Sequence, residues 1–297
     1  MSIFKKKIYN ISLIFKESSL PRLEAEILVS FLLNKTREFV LTHPETKITP
    51  GLYKKFKSLE IKRLNNWPIA YLTGQKEFYG LNFIVGSTVL IPRPETEMMV
   101  DKIIEHIKTT LNVKQTPYII DIGTGSGAII ISVAQELKRL FPPLFKNTKF
   151  AATDISYTAL NTAKKNAKNY KLGNKIKFYR GNLLDPLKLN HKKIKNYRLF
   201  ITANLPYLTP KQIKESPSIS REPRLALNGG SDGLKYYREL FKNLKTLHLP
   251  AYVLCEIDSK QSSKIKTAAK KIFLKTELKI YKDLTKKNRL LIMKNPG

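Results

Sequence analysis

Three glycines at alternating positions, Gly123, Gly125 and Gly127, stand between an apolar run at residues 118–122 and a helix-like stretch at residues 128–140. A strand that turns into a helix through glycines narrows the choice of folds sharply. It belongs to a layered α/β sheet, in which the turn lets a ligand approach the backbone and the helix start offers free N–H groups. The segments that follow keep the same rhythm. Strand-like runs fall at residues 149–153, 176–180, 199–203 and 251–257, and helix-like ones at 156–170, 232–247 and 260–272. Strands alternating with helices predict a layered sheet, and the closing runs at 277–282 and 289–293, separated by a short turn, predict an antiparallel edge.

The 297 residues are enough for about two domains. Residues 1–67 read as helices. Ile3, Ile8, Ile11, Ile14 and Phe15 recur near helical spacing, Leu23, Ile27, Leu28, Phe31 and Leu32 mark a second helix after Pro21, and a third is predicted over residues 52–64. Residues 68–92 change texture, with Gly80 between two short strand-like runs, and read as a β-hairpin linker. Residues 93–297 then form the α/β domain.

The single cysteine, Cys255, excludes an intrachain disulfide and a cysteine metal cluster, which suits a reducing cytoplasm. The histidines His43, His106, His191 and His248 are scattered without ligand spacing, so no metal is expected. No run is apolar and long enough to span a membrane, and the N-terminus is too polar for a secretory leader. The formal net charge is +31. It reads either as an electrostatic footprint for nucleic acid or as a lysine-rich composition, and sequence alone does not choose between them.

The glycine turn reads as a nucleotide-type site. A dinucleotide fingerprint spaces its glycines G-x-G-x-x-G; here the spacing is G-x-G-x-G, over Gly123, Thr124, Gly125, Ser126 and Gly127, with Asp121 two residues ahead. A carboxylate beside the turn would repel a pyrophosphate but suits a ligand carrying an ammonium group, as S-adenosylmethionine does. Asp154, after the next strand, is placed to accept both hydroxyls of a ribose. Beyond the strand at 199–203 comes Asn204-Leu205-Pro206-Tyr207, at the carboxyl end of a strand, where open α/β sheets bind ligands. The Asn204 side-chain oxygen and the Leu205 carbonyl can accept the two N–H groups of a planar amide or amine. Pro206 fixes the backbone, and Tyr207 offers a ring for stacking.

With these residues in place the chain resembles the glutamine methyltransferases of peptide-chain release factors, from Pro68 to its end. Leu90-Ile91-Pro92-Arg93-Pro94-Glu95-Thr96-Glu97 is the most specific element. The hairpin pattern (Tyr71, Gly74, Phe78, Gly80, Phe83), the turn from Asp121 to Gly127, Asp154 with Asn166-Ala167, Glu222-Pro223-Arg224 and Asn288-Arg289 add to it. The resemblance implies a Rossmann-like, seven-stranded S-adenosylmethionine-dependent methyltransferase domain behind a small helical substrate-recognition domain. It implies methyl transfer to the glutamine of the Gly-Gly-Gln motif of a release factor. Two positions depart from the family. Leu205 replaces a usual proline, although the main-chain carbonyl is retained. Asn182 and Leu183 stand where an acid and a bulky residue usually meet the adenine, and the resemblance assigns them to that contact.

Two related activities share these motifs: methylation of glutamine in a ribosomal protein, and of the adenine amine in nucleic acid. A binding module built on an inactive methyltransferase is a third reading, disfavoured by the intact Asp121, Gly123, Gly125, Asp154 and Asn204. Expected partners are a release factor as substrate and, on the charge, weak contact with nucleic acid; the chain is expected to be a monomer. Arg93 is expected to pair with an acid, and Glu95 and Glu97 to line the pocket or start the following helix.

Overall fold

The computed structural model describes residues 9–109, 115–247, 250–274 and 276–295. Ile3, Ile8 and His248, named above, lie outside them. The chain divides into two compact units, residues 1–74 and 75–297.

The first unit is mostly helical, as its apolar spacing predicts. A two-residue strand β1 (Tyr9–Asn10) pairs with β2 (Lys47–Ile48), and between and after them come α1 (Ile11–Glu17), α2 (Arg22–Leu33), α3 (Arg37–Thr42), α4 (Pro50–Leu64) and α5 (Ile69–Thr73). Asn10, Thr36 and Thr49 cap α1, α3 and α4 through their side chains. Ile11, Ile14, Leu28, Val29, Val40 and Phe56 form its core. Residues 68–92 are not one linker. Residues 69–73 are a helix of the first unit that ends on Gly74 in the left-handed region, whereas the hairpin begins at Gln75. A helix start after Pro68 and a glycine stop outweigh the strand-like texture there.

The hairpin, β3 (Gln75–Phe78) and β4 (Leu81–Ile84), belongs to the second unit, because Phe78 and Phe83 are buried with Met99, Val100 and Ile103. Those last three lie on α6 (Glu97–Thr109). The Glu97 carboxylate, expected at the pocket or helix start, opens this helix and accepts the Tyr79 N–H at 2.9 Å.

The second unit contains a seven-stranded sheet in the order β10-β11-β9-β8-β5-β6-β7. Its strands are β5 (Thr116–Ile122), β6 (Lys149–Asp154), β7 (Ile176–Arg180), β8 (Tyr197–Ala203), β9 (Ala251–Glu256), β10 (Glu277–Lys282) and β11 (Asn288–Asn295). Strands β5 to β9 run parallel, and β11 runs antiparallel to both β9 and β10, as the short final turn predicts. Helices α7 (Ala128–Leu140), α8 (Pro142–Asn147), α9 (Tyr157–Asn169), α10 (His191–Ile194), α11 (Pro210–Lys214), α12 (Lys235–Leu247) and α13 (Ser262–Ile272) connect the strands. Strand order runs outward in both directions from β5, through β6 on one side and β8 on the other. Such a reversal leaves a crevice beyond the carboxyl ends of the strands.

Candidate active site

The glycine turn follows β5 at this crevice. Gly123, Gly125 and Gly127 all have positive φ, at 66°, 56° and 81°. Only glycine adopts this backbone without strain. The turn is held from beneath. Thr124 donates its N–H to the Thr153 carbonyl at 3.0 Å. A Cβ on Gly127 would lie 2.9 Å from Ile131 and 3.2 Å from Ala163, so this glycine lets α7 and α9 approach. A Cβ on Gly125 would meet nothing within 4 Å, so its backbone faces open space.

Asp121 departs from expectation. It is buried, and its two oxygens accept the Thr124 hydroxyl at 2.6 Å and the Thr202 hydroxyl at 2.7 Å. Thr202 is its register partner on β8. The carboxylate therefore holds the turn to the sheet instead of facing an ammonium group. Burial pushes it up to about 6, against the pull of the two hydroxyls. Thr124, Ser126 and Gly127 likewise build the turn without lining the cavity above it.

Asp154 does face that cavity. One of its oxygens accepts the Gly125 N–H at 2.9 Å and the other accepts the Ser156 N–H at 2.8 Å. Burial raises it above the ordinary carboxylate range, and these backbone N–H groups oppose the rise. With the Ile155 N–H also on this carboxylate, at least one lone pair is left for a hydroxyl donor.

Gly123, Gly125, Asp154, Asn182 and Leu183 share one cavity with Asn204, Leu205 and Pro206. The amide nitrogen of Asn204 donates to Glu256 at 3.0 Å and to the Thr96 hydroxyl oxygen at 3.2 Å. Its amide oxygen remains as an acceptor. The Leu205 carbonyl accepts the Tyr237 hydroxyl at 3.3 Å, a long contact that leaves its second lone pair. Tyr207 does not offer a stacking face to the cavity; its hydroxyl donates to Glu256 at 3.2 Å, and burial raises it far above the usual phenol range. Asn182 donates to Glu239 at 2.6 Å, which holds its amide nitrogen and leaves the oxygen as acceptor. Leu183 has a positive φ of 43°, an uncommon conformation for a side chain of this size.

Two other contacts shape the tetrapeptide and its surroundings. Gln261 donates to the Tyr207 carbonyl at 2.7 Å. Gly229 packs so tightly that a Cβ there would lie 2.4 Å from the Pro206 carbonyl oxygen. The acid that pairs with Arg93 is Glu222, whose other oxygen accepts the Ile91 N–H at 3.1 Å. Sequence reading missed Thr96 and Glu256 as partners of Asn204. One signal was present: Glu256 is a carboxylate inside the apolar run 251–257. A charge at the end of an interior strand needs partners.

The comparisons with known proteins follow this geometry. Residues 10–74 match a family model described as PrmC N-terminal domain, and residues 114–291 match one described as methyltransferase domain. A release factor glutamine methyltransferase of Moorella thermoacetica is 35% identical over 255 residues, covering 85% of this chain and 83% of that one. Its counterpart in Bacillus subtilis is 33% identical, with 90% of this chain and 89% of that one covered. The chain belongs to the release factor glutamine methyltransferase family. A bifunctional methyltransferase of Rickettsia prowazekii is 34% identical over 92% of this chain, which spans 53% of that protein. The human methyltransferase 10 domain containing protein aligns with a TM-score of 0.51 and 19% identity, over 81% of this chain and 97% of that one, and shows the fold alone.

This methyltransferase uses S-adenosylmethionine as donor, and the cavity's chemistry suits that molecule. Gly125 leaves room over the turn, and Asp154 supplies a carboxylate for hydroxyls. Ile155, Ala159 and Leu183 make an apolar wall suited to a flat heterocycle.

Proposed function

We propose that this enzyme methylates the side-chain amide nitrogen of the glutamine in the Gly-Gly-Gln motif of a peptide-chain release factor. The observation that carries this reading is the state of Asn204. Its amide nitrogen is bonded to Glu256 and Thr96, which leaves the oxygen as the acceptor of a residue that lines the same cavity as the glycine turn. An acceptor there suits a substrate that presents N–H groups.

A primary amide is a poor nucleophile, because its lone pair is delocalised into the carbonyl. Asn204 accepts one N–H of the substrate and the Leu205 carbonyl accepts the other. Gripped at both hydrogens, the nitrogen is drawn toward a pyramidal form with a localised lone pair and held in line for attack. The bound donor supplies an electrophilic methyl group on a sulfonium sulfur. Gly123, Gly125, Asp154, Asn182 and Leu183 would hold that donor. Asn204 and the Leu205 carbonyl are orienting acceptors and not bases, since the methylated nitrogen sheds its proton to water. Leu205 performs this role through its main chain, so its side chain need not be proline. Residues 9–74 are assigned to recognition of the protein substrate, in line with the match to the N-terminal family model.

The test is incubation with methyl-labelled S-adenosylmethionine and three acceptors: a release factor, ribosomal proteins and duplex DNA. Label on the release factor alone supports the reading. Label on ribosomal protein or DNA in its place would redirect it.

A further inference from the structure

Glu256 ends β9 with 2% of its surface exposed, and every contact of its side chain points toward the substrate tetrapeptide or the segment before α6. One oxygen accepts the Thr96 hydroxyl at 2.5 Å and the Asn204 amide at 3.0 Å; the other accepts the Tyr207 hydroxyl at 3.2 Å. Its main-chain carbonyl accepts the Tyr237 hydroxyl, whose oxygen lies 3.3 Å from the Leu205 carbonyl oxygen. The Asn204 amide assigned to grip the substrate is thus tied directly to this residue, and the Leu205 carbonyl lies beside the hydroxyl that its main chain holds.

Building on the glutamine reading of the site, we propose that Glu256 is a positioning residue, whose carboxylate, with Thr96, fixes which way the Asn204 amide faces. An asparagine amide has nearly the same shape after a half-turn, so packing alone does not choose between its two orientations. The wrong one would present an NH₂ group to the NH₂ group of the substrate. An ionised carboxylate only accepts hydrogen bonds, so it selects the orientation with nitrogen inward and oxygen toward the cavity. Fold stability is a weak reason for a carboxylate here, because apolar replacement of buried charges is often neutral or stabilising. The pattern fits a group retained for orientation.

The electrostatics supply a signature. Burial raises the Glu256 carboxyl, and the nearby charge of Glu95 adds to the rise. Arg289, itself paired with Asp283 at 3.2 Å, opposes it, as do the Thr96 and Tyr207 hydroxyls. Once protonated, Glu256 becomes a donor, and Asn204 then gains by turning its oxygen inward. The turnover number falls as pH drops through the Glu256 titration, while donor affinity does not follow.

The test compares full-length wild type, E256L and E256Q. E256L is expected to bind S-adenosylmethionine like wild type by calorimetry but to lose turnover by about 100-fold, the scale of one misdirected catalytic contact. E256Q is expected to recover to within about tenfold, because its amide oxygen still accepts from Asn204. Its acid limb in the turnover profile should be absent. The Asn204 side-chain amide resonances, assigned by NMR in the free protein, should shift in E256L and titrate with Glu256 in wild type. E256L with wild-type turnover, or an Asn204 signal indifferent to both replacement and pH, would overturn the proposal. If E256L fails to fold, the E256Q pH profile and the wild-type titration decide alone. If wild type methylates no release factor yet the Asn204 signal still follows Glu256, the substrate reading fails and the positioning role stands.

Discussion

Half-buried Asp154 and buried Asp121 both stand beside the glycine turn, yet they do different work. Asp154 lines the cavity, so Asp154→Ala should weaken S-adenosylmethionine binding by about 1–3 kcal/mol, the loss expected for hydrogen bonds to a charged group, as read by calorimetry. Unchanged affinity would remove Asp154 from the site. Asp121 serves the scaffold, and its carboxyl sits at about 6 when folded against an ordinary 3.8. A raised acid binds its proton more tightly in the folded state. Its ionisation therefore disfavours the fold above about pH 6, and that cost fades as pH falls toward 4. Asp121→Asn removes the titration. Its urea midpoint, relative to wild type, should decline steadily between pH 7 and pH 4; a constant difference would refute the assignment. Sequence spacing found both carboxylates but assigned both to the donor, Asp121 to its ammonium group and Asp154 to its ribose. The separation comes from Thr202, a residue 81 positions away that only strand pairing brings to Asp121.

Most elements of the sheet were readable because their apolar runs are long and their ends are marked. The helix over 128–140 and the strands over 176–180 and 277–282 lie where the sequence put them. The short pieces were not readable. The β1–β2 pair has two residues on each side, and α8 begins on consecutive prolines that read as a break. The Arg93–Glu222 pair was half readable, since 129 residues separate the partners. It closes the segment before α6 onto the segment after the substrate tetrapeptide, and the Glu222 side chain is only 1% exposed. Arg93→Ala leaves that carboxylate with the Ile91 N–H as its remaining backbone donor. The expected cost is about 2–4 kcal/mol, below that of a fully buried pair because Arg93 is one-third exposed. Chemical denaturation measures it, and Arg93→Ala with Glu222→Gln should recover part of the loss. A single variant as stable as wild type would show that the pair contributes little.

At the scale of the molecule, the net charge of +31 is spread over exposed lysines in both units, among them Lys54 and Lys62 on α4, Lys164 and Lys168 on α9 and Lys270 and Lys271 on α13. That spread matches a lysine-rich composition at least as well as a single docking face. No helix among the described residues is long and apolar enough to cross a membrane. The division at Gly74 separates a donor site that lies wholly in the second unit from the unit assigned to recognition. Residues 75–297 expressed alone should keep S-adenosylmethionine affinity and lose methylation of the release factor. Full activity of that fragment would remove recognition from the first unit. The glutamine reading itself meets its most direct test in one measurement: mass-spectrometric mapping of the methyl group on a release factor treated with wild type or with Asn204→Ala. Wild type should place one methyl on the glutamine of the Gly-Gly-Gln motif, and Asn204→Ala should place none while binding the donor normally. A methyl elsewhere, or an Asn204→Ala enzyme that turns over like wild type, would overturn it.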